Sequence, residues 1–304
     1  MPKPPAFSMR KLDFLFLGAQ KSGTTTLFQL LSEHPDAFVP PGKELPFFNG
    51  ANVTEESYAE FVTEIFPRNL DDVVIGKLTP HYLVDPRVAE RILSLSPETR
   101  LVVILRDPVE RAFSHYRMSQ RRNIEERSFA EVIDDMLVPE ALAQARALPS
   151  GRANENKTYV AWGEYGRLLR PYAKKIEAGE LLVLSTKGLE AAPERTMEKL
   201  CAFLGLEMLT LPSLGKKMHQ GGSKERLPIQ SIAKSLPLVR LLWRNISKRY
   251  KSRILYKVVQ WNVVKSAASP DEVPKESLAR LRAHFVNDAQ EIERLTGWCP
   301  DWMS

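Results

Sequence analysis

Short, unbroken apolar runs alternate along this chain with segments of helical spacing. Asp13 to Leu17 carries Phe14-Leu15-Phe16-Leu17 and has the length and composition of a buried strand. Gly18 to Gly23 follows as a glycine-bounded loop. From Thr24 the spacing changes: Leu27, Leu30 and Leu31 fall on one face of a helix, which Pro35 stops. Val73 to Lys77 predicts a second strand, and Leu101 to Leu105 a third. The third is apolar at every position, as a strand covered on both faces requires. Leu181 to Leu184 predicts a fourth. Helical patterns lie between, at Pro86 to Leu95, from Pro108 onward and at Pro193 to Leu204, and a proline suits a first helical turn. Strands that alternate with helices predict a parallel sheet with helices on both faces. The C-terminal third reads as helical. Leu236 to Trp261 is basic and amphipathic, and Lys275 to Leu295 is a long helix closed near Gly297.

The expected fold class is therefore α/β, a P-loop-type parallel sheet flanked by helices with a helical C-terminal portion. No Gly/Ser-rich or Pro-rich linker divides the 304 residues. They are expected to form one domain over 1–304, with 1–8 a disordered lead and 228–304 a helical extension of the same domain.

A formal net charge of +6 suits an anionic ligand or partner, but does not choose between a nucleotide, a polyanion and a membrane surface. Solubility alone accounts for it equally well. The two cysteines, Cys201 and Cys299, lack metal-ligand spacing, and Cys201 sits in an apolar helical pattern that predicts burial. A reducing compartment is the expectation. The stretch Phe14 to Leu17 is too short for a secretory apolar region or a membrane span, so a cytoplasmic protein is expected. No nucleic-acid partner and no metal site are expected.

The chemistry starts at the first loop. Gly18-Ala19-Gln20-Lys21-Ser22-Gly23-Thr24-Thr25 lies between a strand and a helix. Glycines let backbone approach phosphate oxygens, and a helix N-terminus presents free N–H groups to an anion. This is nearly a Walker A loop, but the Walker lysine position holds Thr24 and the lysine lies inside the loop at Lys21. A Mg-nucleotide hydrolase also wants a carboxylate at a strand end. Here the third strand runs into Arg106, which repels a metal and attracts a second phosphate. An ion pair with Asp107 or Glu110 is the other role open to Arg106.

At these residues the chain resembles the 3′-phosphoadenosine 5′-phosphosulfate (PAPS)-dependent sulfotransferases. It resembles the glycosaminoglycan and bacterial branch more than the small cytosolic phenol branch. FLFLGAQKSGTTTLFQLLSEHP resembles that family's 5′-phosphosulfate loop, and LVVILRDPVERAFSHYRM its 3′-phosphate site. KELPFF at Lys43 to Phe48 and GKLTPHYL at Gly76 to Leu83 resemble two further family segments. The likeness is closest over residues 12–120, looser over 160–205 and faint beyond.

The resemblance implies a sulfuryl group moved from PAPS to an acceptor hydroxyl, on a saccharide or another small molecule. It implies that Gln20, Lys21, Ser22, Gly23, Thr24 and Thr25 bind the 5′-phosphosulfate, with Lys21 neutralising charge on the bridging oxygen. Arg106 and Ser114 would hold the 3′-phosphate, and Arg has the planar fork for it. Ser114 lies eight residues past Arg106, so it can face back toward the same site. Lys77 would meet the transferring sulfonate. Glu44 is the first choice for the base that takes the acceptor proton. The chain departs from the family where Pro46 replaces a histidine, which unsettles the acceptor class. His81, close to Lys77, is a second candidate base because imidazole titrates near neutrality. Its other reading is a loop histidine packed beside Tyr82. Lys224 and Arg226, in Gly221-Gly222-Ser223-Lys224-Glu225-Arg226, resemble a loop that covers the nucleotide, with Glu225 in place of a glycine. Tyr165 is either an acceptor-site residue or a core tyrosine.

Two other functions share these features. A P-loop kinase or NTPase would use the same core, against Thr24 and Arg106. A non-enzymatic module could bind polyanions or peripheral membrane through the basic segment 236–261, although a sheet-packed helix with a solvated basic face explains that segment better.

Overall fold

The computed structural model describes residues 10–41, 46–66, 72–216, 223–225, 263–265 and 274–303. They fall into two compact units, Met1–His219 with Val273–Ser304, and Gln220–Glu272.

The first unit is built on five parallel strands: β1 (Phe14–Gly18), β2 (Ala37–Phe38), β3 (Val74–Leu78), β4 (Arg100–Leu105) and β5 (Leu181–Ser185). Their spatial order is β2-β3-β1-β4-β5, with Phe14 opposite both Gly76 and Arg100, and Leu101 opposite Leu181. β1 is buried at all five positions because it lies between β3 and β4 under helices on both faces. This is why its sequence shows no alternation. From β1 the chain turns toward β2 and β3, whereas from β4 it turns toward β5. The carboxyl ends of β1 and β4 thus flank the point where strand order reverses, the usual ligand crevice of open α/β sheets.

The helices are α1 (Thr24–Glu33), α2 (Glu55–Ile65), α3 (Val88–Leu95), α4 (Pro108–Arg121), α5 (Phe129–Met136), α6 (Pro139–Ala147), α7 (Tyr165–Leu169), α8 (Ala173–Glu177), α9 (Thr186–Ala191), α10 (Pro193–Leu204) and α11 (Lys275–Thr296). Pro108 and Pro193 stand in first turns, and Gly297 ends α11 with φ 68. The C-terminal α11 returns to α7, where the backbone N–H groups of Gly166 and Arg167 donate to Asp288 at 2.8 and 3.0 Å. Among the described residues no helix is long and apolar enough to cross a membrane. In the second unit, β6 (Ser223–Glu225) pairs antiparallel with β7 (Val263–Lys265). The whole basic segment 236–261 lies outside the described residues.

One glycine fixes the fit of β3 to β1. A Cβ on Gly76 would stand 2.4 Å from the ring of Phe14, which lies across from it in register and is itself fully buried. Gly76→Ala is expected to destabilise the protein by about 1–3 kcal/mol, as overpacking does. A urea midpoint equal to wild type would contradict this.

Candidate active site

The loop after β1 is tied down on three sides. Ala19 N–H donates to the Ile104 carbonyl at 2.8 Å, which fixes the loop to β4. The segment after β3 lies along its start, with Thr79 N–H donating to Phe16 O at 3.1 Å and Leu83 N–H to Leu17 O at 2.8 Å. The approach is close enough that a Cβ on Gly18 would meet Leu83 Cβ at 2.9 Å. From the far side, Thr186 Oγ donates to the carbonyls of Ser22 (2.7 Å) and Leu105 (3.1 Å). Thr186 begins α9 and carries no sequence motif, so only the fold reveals it.

Two residues of the loop take left-handed backbone, Lys21 at φ 70 and Gly23 at φ 97. Gly23 is the N-cap of α1 and offers no side-chain cap, while Thr24 and Thr25 open the helix. First-turn N–H groups presented in this way form an anion site.

Arg106, at the end of β4, reaches the loop: its Nη1 lies 3.4 Å from the Lys21 carbonyl. The same guanidinium holds Glu110 through Nε at 3.0 Å and Nη2 at 2.9 Å. Of its two carboxylate candidates, Glu110 is the partner at that distance, while Asp107 caps α4 by accepting from Val109 and Glu110 N–H. Ser114 stands one turn beyond Glu110 on α4, on the face that carries the Arg106 pair. The structure therefore brings the two sequence motifs together at the strand-order reversal.

Lys77 is 1% exposed. β3 runs one residue further than its sequence pattern suggests, to Leu78, so Lys77 lies within the strand opposite Leu15 rather than at its edge. Its Nζ stands 5.8 Å from the centroid of the Phe61 ring. Lys77 is therefore no surface lysine.

His81 hydrogen-bonds through Nε2 to Gln20 Nε2 at 2.9 Å, and its ring lies 5.6 Å from that of Trp162. The adjacent Tyr82 is buried, and its hydroxyl accepts the N–H groups of Phe47 (2.8 Å) and Phe48 (3.3 Å). Arg91 then binds the Phe48 and Gly50 carbonyls at 2.7 and 2.8 Å. Phe47 and Phe48, the end of KELPFF, are thus anchored to Tyr82, the residue after His81. Lys43 and Glu44 themselves lie outside the described residues, as does Arg226. Lys224 is in β6 of the second unit.

Behind the loop is a polar group that helical periodicity hides. α4 carries Arg111, His115 and Ser119 at four-residue intervals, all fully buried. Arg111 donates to the Tyr159 carbonyl, and no carboxylate pairs with it among the described residues. Burial pulls its pKa down to about 10; Tyr165 opposes that shift and Arg106 adds to it. Tyr165 is fully buried beside Ser22 and the Arg106 backbone, and burial pushes its hydroxyl up to about 12. Of its two readings, the core tyrosine is the one found.

His115 stacks on Trp162 at 5.1 Å and is held well below the ordinary imidazole range by burial, then by Arg111, Lys21 and His81. Its neutral form is favoured only in the fold, so the unfolded chain binds the extra proton below its own pKa of about 6.5. Stability is therefore expected to be level above that pH and to fall as pH drops below it. His115→Phe should flatten the loss between about pH 6.5 and 5. Identical pH slopes of the urea midpoint in the two proteins would refute this.

Residues 11–218 match the family model described as a sulfotransferase domain. The chain belongs to the sulfotransferase-domain family. Among curated relatives it is 28% identical to heparan sulfate glucosamine 3-O-sulfotransferase 3A1 of Mus musculus over 64% of this chain and 46% of that protein. It is 28% identical to heparan sulfate glucosamine 3-O-sulfotransferase 6 of Homo sapiens over 78% of this chain and 68% of that protein. It is also 28% identical to the bifunctional heparan sulfate N-deacetylase/N-sulfotransferase 1 of Mus musculus, over 63% of this chain and 22% of that protein. The chain thus spans 46% of the length of the first of these relatives. In fold it is similar to a crystal structure of a sulfotransferase from Alicyclobacillus acidocaldarius, with a TM-score of 0.65 at 21% identity, over 97% of this chain and 99% of that one.

Proposed function

We propose that this sulfotransferase-domain chain transfers a sulfuryl group from PAPS to a hydroxyl of a saccharide. The observation that carries the reading is the meeting of the loop after β1 with Arg106 after β4, Nη1 to the Lys21 carbonyl at 3.4 Å. Arg106 there meets the backbone of the loop that carries Lys21, next to a helix N-terminus without a side-chain cap, and a nucleotide phosphorylated at both ends would set its charges against such groups.

The donor set fits PAPS by its chemistry. Lys21, Thr24, Thr25, Arg106 and Ser114 supply cations and hydroxyls, with Thr24 at the Walker lysine position and Arg106 at the strand end. That composition favours a sulfonated bisphosphate over a Mg-nucleotide. PAPS, when bound, supplies an activated S–O bond. Ser22, Gly23, Thr24 and Thr25 orient the 5′ end, and Arg106 with Ser114 orients the 3′-phosphate. Lys21 places positive charge where the leaving oxygen gains negative charge. Lys77, buried within β3, adds a second cation on the sulfonate side. The acceptor oxygen forms the new S–O bond as the old one breaks, and its proton passes to a base of this chain, Glu44 or His81. A saccharide acceptor is supported by the names of the relatives, three of which act on heparan sulfate.

The test is purified protein incubated with sulfur-radiolabelled PAPS and a panel of saccharides that includes heparan sulfate fragments. Label should enter a saccharide, and the protein should be retained on immobilised 3′,5′-bisphosphoadenosine in preference to ATP. Preference for ATP, or transfer of phosphate, would favour the kinase reading and sink this one.

A further inference from the structure

The Gln20–His81 contact has a chemical consequence for the base left open above. An amide nitrogen donates and does not accept, so Gln20 Nε2 at 2.9 Å makes His81 Nε2 the acceptor. In the neutral ring the hydrogen then sits on Nδ1. The lone pair that would take a proton from an acceptor hydroxyl is already engaged by the donor-binding loop.

The contact also joins two parts of the site. Gln20 is 8% exposed and directly precedes Lys21, whose carbonyl Arg106 reaches. His81 lies between Thr79, bonded through its backbone to β1, and Tyr82, whose hydroxyl fixes Phe47 and Phe48. Trp162 supports the ring from behind and in turn stacks on His115. A displacement of the loop at Gln20 is therefore passed through His81 to the segment that follows Glu44 in sequence.

We infer that His81 is a positioning residue: with Gln20 it forms a couple that sets the donor loop against the acceptor-side segment, and it is not the base that takes the acceptor proton. This rests on the sulfuryl-transfer reading for its kinetic consequences, but not for the hydrogen bond itself. Among the described residues, the charged groups that act on His115, behind this couple, include Arg111, Lys21, His81 and Arg122.

Two measurements test it. Long-range nitrogen–proton correlation spectra of the ligand-free protein, with His81 assigned by its loss in His81→Asn, read the tautomer directly. Nε2 is expected to be unprotonated, with its resonance shifting in Gln20→Ala; a hydrogen on Nε2, or no shift, overturns the couple. Kinetics with labelled PAPS give the second reading. His81→Asn and Gln20→Ala are each expected to lower kcat about tenfold, the loss of one hydrogen bond, with the double variant no worse than either. The acid limb of the pH–rate profile should stay where wild type has it in His81→Asn, whereas Glu44→Gln should abolish transfer. A limb that moves or vanishes in His81→Asn, while Glu44→Gln remains active, makes His81 the base and overturns the inference. If wild type transfers no sulfuryl group to any acceptor, the proposed function fails, and the tautomer measurement still decides the couple.

Discussion

Lys21→Ala is expected to lower sulfuryl transfer by about 10²–10³-fold, the range typical for removing one preorganised donor from a developing anion. The fall should appear in kcat. Charge builds on the bridging oxygen as the S–O bond breaks, so the lysine interacts more strongly with the transition state than with the bound donor. Alanine is the right replacement. Lys21 holds φ 70, and glycine there would also relax the backbone and change the unfolded chain. Alanine keeps the same backbone strain, and the ties through Ala19, Thr186 and Arg106 do not use the lysine side chain. The melting temperature should therefore stay near that of wild type. A variant that loses donor affinity but keeps kcat would reassign Lys21 to ground-state binding. A variant with unchanged kinetics would remove it from the site altogether.

The parts of this molecule that were legible in the sequence are those where local pattern and tertiary role agree. β1, the loop and α1 read directly because a strand covered on both faces is apolar throughout and the glycines mark the turn. β4, Arg106 and Pro108 read for the same reason, since a proline in the first turn fixes where α4 begins. β2 did not, because two residues make no pattern. A lysine after an apolar run looks like the end of a strand, yet Lys77 lies within β3. It is buried because β3 is interior, between β2 and β1, so the alternation a half-exposed strand would show is lacking.

Arg111 and His115 are the plainer failure. Periodicity assigns a charged helical residue to solvent, yet both lie on the stripe of α4 that also buries Pro108, Ala112 and Ser119. The only local sign was their spacing, four residues apart and in phase with that stripe. The partners that make their burial tolerable, the Tyr159 carbonyl and the Trp162 ring, come from a segment nearly fifty residues away and become visible only once it is folded against α4.

The same segment is held by one carboxylate, and its removal should have the largest effect on stability. Glu164 is buried and accepts from Arg146 of α6 at 2.6 Å, from Arg167 of α7 at 2.7 Å and from His284 of α11 at 3.0 Å. Burial alone would raise its pKa. The hydrogen bonds from His284 and Arg146, with the attraction of Arg167, bring it down to about 2 instead. The ionised form is therefore favoured in the fold, and its contribution is present above the ordinary value of 4.5 and lost as pH falls from there toward 2.

Glu164→Ala leaves two guanidiniums and an imidazole crowded without their shared anion, and it unties three helices at once. Breaking a buried pair typically costs about 3–5 kcal/mol, and because both arginines reach solvent the lower end applies, about 3 kcal/mol. For a chain of 304 residues that is a drop in Tm of roughly 4–6 °C. Glu164→Gln should fall between, because the amide keeps the shape and part of the hydrogen bonding, and it should lose less stability than wild type below pH 4.5. Trp162 and Tyr165 flank Glu164, so both variants should also weaken binding of 3′,5′-bisphosphoadenosine by slackening the support behind His115 and Ser22. A Tm within about 2 °C of wild type for Glu164→Ala would show that the three helices are held by apolar packing alone and that the carboxylate is dispensable.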